Sequence, residues 1–230
     1  MQNAIIKKTA LVAILTTGTM FTSAAQAIEV TGNIGVTSDY IWRGNTQSSG
    51  DASVSGGLDA DLGNGLAVGT WVGSLGDSRT TDANGVVSAS DDANYELDVY
   101  ASYSFEVSGV GVELGYIYYA YPGVADDDSD FEDMYISLGY GPASLSYYEM
   151  IDAENAATDA SEATYLSVDY ELALPGDFTA TLHYGNEEFD DGTPDDEDTS
   201  VSISKDAFTF TVSDDEGDDT RAIVSYGLSF

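Results

Sequence analysis

Along most of the chain, apolar and polar side chains alternate one by one, and residues 95–107 show the pattern most clearly. Tyr95, Leu97, Val99, Ala101, Tyr103, Phe105 and Val107 share one parity. Glu96, Asp98, Tyr100, Ser102, Ser104 and Glu106 share the other. A β-strand sends successive side chains to opposite faces, so this segment predicts a strand with one apolar face and one wet face. The same alternation runs through Ala52, Val54, Gly56, Leu58, Ala60 and Leu62, through Leu166, Val168, Tyr170, Leu172 and Leu174, and through Ala222, Val224, Tyr226, Leu228 and Phe230. Twelve such segments are predicted, near 28–39, 51–62, 66–74, 94–107, 112–121, 132–140, 143–151, 163–174, 178–186, 199–205, 208–213 and 221–230. In the third, Leu66, Val68 and Val72 compete with Trp71 for the apolar face, which leaves its orientation open.

The connections alternate between long and short. Short ones are Gly63-Asn-Gly65, Ser108-Gly-Val-Gly111, Gly141-Pro142, Pro175-Gly-Asp177 and Asp206-Ala207, most built from residues that favour tight turns. Long ones fall near 40–50, 75–93, 122–131, 152–162, 187–198 and 214–220. Short periplasmic turns and longer outside loops are the signature of a transmembrane barrel. A soluble β-sandwich also has many short alternating strands, but nothing in it requires loop lengths to alternate. Nor does it require aromatic residues near strand ends, as at Tyr95, Phe105, Tyr118, Tyr140, Tyr147, Phe178, Tyr184, Tyr226 and Phe230. The expected fold is therefore all-β, a transmembrane antiparallel up-and-down β-barrel of about twelve strands with long acidic extracellular loops.

The two ends fit an exported barrel. Lys7 and Lys8 precede a short apolar run at 9–22, and Ala25-Gln26-Ala27 matches a small-x-small cleavage site. Residues 1–27 are thus expected to be a removed signal peptide and 28–230 a single barrel domain. The apolar run falls short of the roughly 20 residues a spanning helix needs, and no later stretch reaches that length. Tyr226, Leu228 and Phe230 end the sequence on an aromatic residue, like the terminal signal read by the outer-membrane assembly machinery. Expected partners are that machinery, periplasmic chaperones, and the lipid and lipopolysaccharide of a Gram-negative outer membrane.

Charge and cysteine content narrow the function. The chain carries 41 acidic and 6 basic residues, for a formal net charge of −35. Nucleic acid would repel such a chain. There is no cysteine, which removes thiolate catalysis and Cys-based metal sites. Closing a sheet into a barrel is an alternative source of stability, because every backbone donor and acceptor then finds a partner.

The segment Thr37-Ser-Asp-Tyr-Ile-Trp-Arg-Gly-Asn-Thr-Gln-Ser48 resembles the opening motif of the TorF-like porin family of proteobacterial outer-membrane proteins. Glu96-Leu-Asp-Val-Tyr100 and Gly115-Tyr-Ile-Tyr-Tyr-Ala-Tyr-Pro-Gly123 resemble that family's internal segments, in the same order. The resemblance implies a barrel with pore activity and supplies no substrate. Trp42 and Asn45 depart from the residues found in some members.

If the apolar parity faces lipid, the opposite parity faces the lumen. It includes Glu96, Asp98, Glu106, Glu113, Asp133, Asp169 and Glu171, with Arg43 and Arg221 as the basic residues expected to approach it. Lys205 falls on the lipid-facing parity near a short turn, where its stem can snorkel. Twelve strands lie between eight, which side chains fill, and sixteen to eighteen, which leave a water channel. Carboxylate rings favour cations. The expectation is a narrow, cation-preferring conduit for passive diffusion of small solutes. The alternative is a closed lumen in which Arg43 and Arg221 pair with carboxylates for structural reasons, the barrel serving as an acidic loop platform for adhesion or envelope integrity.

Asp39, Arg43 and Gln47 share a parity at the outer end of the first segment, so they would project inward together if the extended conformation continued. They would then form either a constriction or, through Arg43, a lock between the first loop and the barrel wall. The acidic runs Asp126–Asp130, Glu187-Glu188, Asp190-Asp191, Asp195–Asp198, Asp214–Glu216 and Asp218-Asp219 invite divalent cations. The EF-hand spacing fails, because Phe131 stands at the glycine position after Asp126, Asp128 and Asp130 and no Glu follows at the twelfth place. A solvated acidic surface is the expected reading, with loose divalent bridging to lipopolysaccharide as the alternative. His183 is the sole histidine, on the polar parity. No hydrolase or phosphate-binding motif accompanies it, so no enzyme and no cofactor are expected.

Overall fold

The computed structural model describes residues 28–76, 79–81, 87–89, 94–122, 130–153, 163–189, 194–215 and 220–230. In chain order the described strands are β1 (Glu29–Thr37), β2 (Ile41–Trp42), β3 (Asn45–Thr46), β4 (Ser53–Gly63), β5 (Leu66–Ser74), β6 (Arg79–Thr81), β7 (Val87–Ala89) and β8 (Tyr95–Val107). There follow β9 (Val110–Ala120), β10 (Phe131–Tyr140), β11 (Ala143–Ala153), β12 (Thr164–Leu174), β13 (Phe178–Glu188), β14 (Asp196–Lys205), β15 (Phe208–Asp215) and β16 (Arg221–Ser229).

Twelve of the described strands close an antiparallel barrel in the order β1-β16-β15-β14-β13-β12-β11-β10-β9-β8-β5-β4. Closure is made by β1 and β16, from Asn33 opposite Ser229 to Thr37 opposite Ser225. Gly32 and Phe230 extend it with two backbone hydrogen bonds of 2.8 and 2.9 Å. The expected barrel and its strand number are thus observed. Two short hairpins, β2–β3 and β6–β7, lie in the first and second long connections and were not foreseen.

The short turns follow from their sequences. Asn64-Gly65 and Ser108-Gly109 each place two consecutive residues at positive φ, between 53° and 85°. Such a turn twists with the flanking strands and holds a two-residue hairpin.

The chain is inside out relative to a water-soluble protein. Its largest fully buried side chains are Glu96, Asp133 and Ser48, whereas Ile34, Val54, Leu58, Val99, Met134, Leu182, Val201, Phe210 and Val224 stand exposed. At the short-turn end, Phe178, Phe208, Tyr140 and Phe230 are 40, 59, 69 and 76% exposed on the outer face, where an interfacial aromatic girdle belongs. Lys205 reaches the Gly176 carbonyl at 2.9 Å and lies over the Phe178 ring, its charge at the turn.

The ambiguous third segment resolves with Leu66, Val68 and Val72 outward. Trp71 turns inward and packs on Tyr40, with ring centroids 5.4 Å apart. Several strands run past their expected ends. Glu187 and Glu188 belong to β13, Asp196–Asp198 to β14 and Asp214-Asp215 to β15, rather than to loops. Above the lipid, a strand needs no apolar face, so its charged tip loses the alternation that marks it while keeping its pairing.

Candidate functional site in the barrel lumen

The lumen is organised by the first long connection. Arg43 and Gly44 both adopt positive φ, 46° and 83°, and form a tight turn between β2 and β3. The chain therefore folds back on itself instead of continuing extended, which corrects the expectation that Asp39, Arg43 and Gln47 project inward side by side. Gly44 is required twice. Its backbone is left-handed, and a Cβ there would stand 2.6 Å from the Asp198 Cβ on β14.

The base of this hairpin is pinned by Asp39. Thr46 Oγ1 donates to Asp39 Oδ1 at 2.6 Å, and Ser48 Oγ lies 2.9 Å from the same oxygen. Arg221 on β16 reaches Asp39 Oδ2 at 3.2 Å. Tyr40 N donates to Ser48 Oγ (2.8 Å), and Tyr40 Oη donates to Glu96 Oε1 on β8 (3.0 Å). Burial, then the charge of Glu96, pushes the Tyr40 phenol above its ordinary pKa and keeps it a donor. Gln47 takes part through its backbone, donating to the Tyr40 carbonyl at 2.6 Å, while its side-chain amide lies 3.5 Å from the Asn45 carbonyl.

The tip crosses the barrel. The loop leaves between the adjacent strands β1 and β4, and the Arg43 guanidinium ends among β10–β13, the four strands directly opposite. Nη2 donates to Asp133 Oδ2 at 2.6 Å and Nη1 to Glu187 Oε1 at 2.7 Å. The guanidinium carbon sits 5.3 Å from the ring centre of Tyr148 and 4.8 Å from that of Tyr165, both on the wall, and 4.2 Å from Trp42 on the hairpin. All three charged groups are nearly sealed, with side-chain exposures of 5% for Arg43, 0% for Asp133 and 7% for Glu187. Burial works against the Arg43 charge, but Asp133, Tyr119 and Glu187 outweigh it and hold the guanidinium above its ordinary pKa. Trp42 packs on Tyr119 and Phe131, and Asn45 donates to Asp196 at 2.9 Å.

The wall around this contact is built from tyrosines lying across glycines. Tyr100 on β8 passes over Gly69 on β5 and donates to Asp59 on β4 at 2.5 Å. Tyr165 on β12 passes over Gly185 on β13 to Asp198 on β14 at 3.0 Å. A Cβ at either glycine would fall within about 2.3 Å of the phenol above it, so no other residue leaves room. Tyr135 donates to Glu113 (2.8 Å), whose other oxygen accepts from Ser104 (2.8 Å).

Beside Tyr165 lies His183. Its Nδ1 is 2.7 Å from Asp169, and its Nε2 is 3.0 Å from both Asp198 and the Tyr165 hydroxyl. Both nitrogens are thus engaged, Nδ1 by one carboxylate and Nε2 by a second carboxylate and a hydroxyl.

Of the residues singled out from sequence, Asp39 and Arg221 meet at the hairpin base and Arg43 and Asp133 meet at its tip. Glu96, Glu113 and Asp169 line the wall in the contacts above. Asp98 is part-buried beside Glu96, and Glu171 lies towards the short turns, its backbone bonded to the Pro142 carbonyl at 2.9 Å. Tyr226, Leu228 and Phe230 face outward on β16, with Tyr226 edge-on to Phe208. Sequence reasoning missed Glu187, Tyr148, Tyr165 and Asp198. Glu187 was within reach, because the inward parity of His183 continues through Gly185 to it. The acidic run at 126–129 and residues 1–27 lie outside the described residues. Among the described residues no three His, Asp or Glu side chains group as a metal site.

A closed antiparallel barrel with an apolar exterior and a polar interior is the architecture of the outer-membrane barrel class. Residues 22–215 match the family described as "Bacterial protein of unknown function (Gcw_chp)", and the chain belongs to that family. No curated protein matches the sequence. Among solved structures the chain is similar to the KdgM porin (TM-score 0.54, 11% identity, covering 88% of this chain and 98% of that one). It is equally similar to "KdgM porin in complex with disordered oligogalacturonate" (TM-score 0.54, 10% identity, 88% and 98% covered). A third chain, from work on in-meso crystallisation of membrane proteins, aligns at TM-score 0.52 and 9% identity over 87% of this chain and 83% of its own. At these identities the likeness is one of fold.

Proposed function

We propose that the protein is a porin of the bacterial outer membrane, a narrow channel for passive diffusion of small solutes that prefers cations. The observation that carries this reading is the pairing of an apolar exterior with a lumen whose buried charges are mostly carboxylates. The KdgM-like fold and the resemblance of the 37–48 segment to TorF-like porins support it. The oligogalacturonate of the KdgM complex is a polyanion, and the lumen here, with Asp59, Glu96, Asp98, Glu113, Asp133, Asp169 and Asp198, would repel one. The solute class is therefore not carried over with the fold. Lipid and lipopolysaccharide would surround the barrel, with divalent cations bridging the acidic loops.

The hairpin crossing the lumen favours a second reading, a closed barrel that presents its loops. Planar-bilayer recording of the refolded chain decides between them. The channel reading expects conductance with a reversal potential displaced towards the cation. Absent or anion-selective conductance would overturn it.

A further inference from the structure

We infer that the pocket between β10 and β13 is a binding site for planar organic cations of the guanidinium class, and that Arg43 is its resident competitor. The inference rests on the channel reading for the access of such a solute to the lumen.

The pocket divides into two parts of different origin. The wall contributes the carboxylates of Asp133 and Glu187 and the ring faces of Tyr148 and Tyr165. The hairpin contributes only what is bound, the guanidinium, together with Trp42. Both carboxylates and two of the three ring faces belong to the wall, so the charges and two stacking surfaces remain without the loop. Asp133 and Glu187 sit on strands separated by β11 and β12, yet both turn their oxygens on the same cation. Two nearly sealed carboxylates aimed into one pocket demand a cation there, because an uncompensated buried charge is costly. The rings select its shape, since a delocalised planar cation stacks on aromatic faces and matches carboxylates with its fork of donors, whereas an ammonium is a compact point charge.

Arg43 does not saturate this receptor. Its two hydrogen bonds are split between two carboxylates, one N–H to each. Asp133 Oδ1 is buried and takes no hydrogen bond from Arg43, with Tyr119 beside the same carboxylate. A guanidinium free of the backbone can turn to give Asp133 two parallel bonds, the strongest arrangement for this pair. The hairpin itself is weakly self-supporting, with two residues in each strand, and a lone hairpin of any length is marginal in water.

Exchange is set by effective concentration. A group on a short tether competes as if present at millimolar levels. A free solute therefore displaces Arg43 only when it reaches similar concentrations. Weak binding of this kind suits a channel, where a solute must enter a site and also leave it.

The test uses the full chain refolded in detergent micelles, with methylguanidinium chloride as probe and sodium chloride at equal ionic strength as control. In a Trp71→Phe background, Trp42 is the single tryptophan, and its emission reports whether the hairpin is seated. Methylguanidinium should shift that emission with a half-saturation in the millimolar range, and sodium should not. In Arg43→Ala, methylguanidinium should raise the melting temperature by several degrees more than sodium does. Asp133→Asn combined with Glu187→Gln should abolish both responses. If Arg43→Ala does not fold, the Trp42 titration of the otherwise intact chain still decides. Equal responses to the two salts would overturn the inference and leave Arg43 as a structural clamp. A specific response without bilayer conductance supports the site and refutes the channel reading. Conductance without a specific response does the reverse.

Discussion

Among the described residues two arginines bind carboxylates in this lumen, one at each end of the first loop's reach, under different conditions. Arg43 at the tip is 5% exposed, bridges two carboxylates on the far wall and lies among three aromatic rings. Arg221, beside the hairpin base, is 23% exposed and meets Asp39 at 3.2 Å. The comparison separates two jobs that charge alone does not distinguish. In the buried contact both partners have lost their water, so removing either strands a charge. In the other contact only the arginine is partly open, at 23% against 9% for Asp39, so water reaches it from that side and can partly take the place of a lost partner.

Removing each arginine in turn separates the two contacts. Arg43→Ala should lower stability by about 3–5 kcal/mol, the usual cost of orphaning a buried ion pair. A urea titration of the refolded protein in detergent measures it, and the same variant should conduct more current per channel, since the group crossing the lumen is gone. If Arg43→Ala costs no more than Arg221→Ala, burial does not distinguish the two contacts and the tip is a surface feature.

Gly44→Val attacks the same contact without touching a charge. It places a branched side chain on a left-handed backbone at φ 83° and drives a Cβ into Asp198. The backbone strain alone costs about 1–3 kcal/mol, and an unseated tip forfeits the Arg43 ion pair as well. It should unseat Arg43, so the Trp42 emission of this variant should resemble that of Arg43→Ala. An unseated tip with full stability would show that the turn, not the ion pair, limits the seating.

How much of this was legible depends on which face carried the signal. The lipid face forces alternation, so the strands, the short turns and the barrel could be read from residues such as Leu97, Val99 and Ala101. The lumen imposes no such periodicity. Tyr148 and Tyr165 read as ordinary polar-parity tyrosines, and only the closed sheet brings β10 and β13 around one cation. The turn at Arg43-Gly44 was missed for a related reason. A left-handed Arg-Gly pair is a hairpin signal only when short strands flank it, and two residues on each side are too few to show a pattern. Conversely, the inward parity of Asp133, Asp169 and Glu113 was legible because those residues sit within long strands.

Between the two arginines in effect lies the tyrosine that links the tip to its neighbour. Tyr165 carries the Arg43 guanidinium on its ring face and donates from its hydroxyl to Asp198, beside His183. Tyr165→Phe keeps the ring and removes the donor. Loss of a bond to a charged acceptor should cost about 1.5–3 kcal/mol if Asp198 stays buried, and less if His183 takes over the freed oxygen. Tyr100→Phe, which strips Asp59 of a comparable bond with no histidine nearby, is the control that separates these outcomes by the same urea titration.

The smallest effect belongs to Arg221. Arg221 itself is partly open to water although Asp39 is only 9% exposed, so Arg221→Ala should cost less than Arg43→Ala, about 1 kcal/mol. The size of that loss is less informative than its salt dependence. At low ionic strength, Asp39 loses a partner that still acts through water. At about 1 M salt the screening length is near 3 Å, comparable to the contact itself, so wild type and variant should converge. The cost of Arg43→Ala should persist in sodium chloride at the same concentration, because a buried ion pair is screened far less than an exposed one. Urea midpoints at two salt concentrations for both variants measure this directly. If the Arg221 loss were salt-independent, Asp39 would be organising the hairpin through a desolvated bond. The base of the loop, not its tip, would then be the stronger anchor.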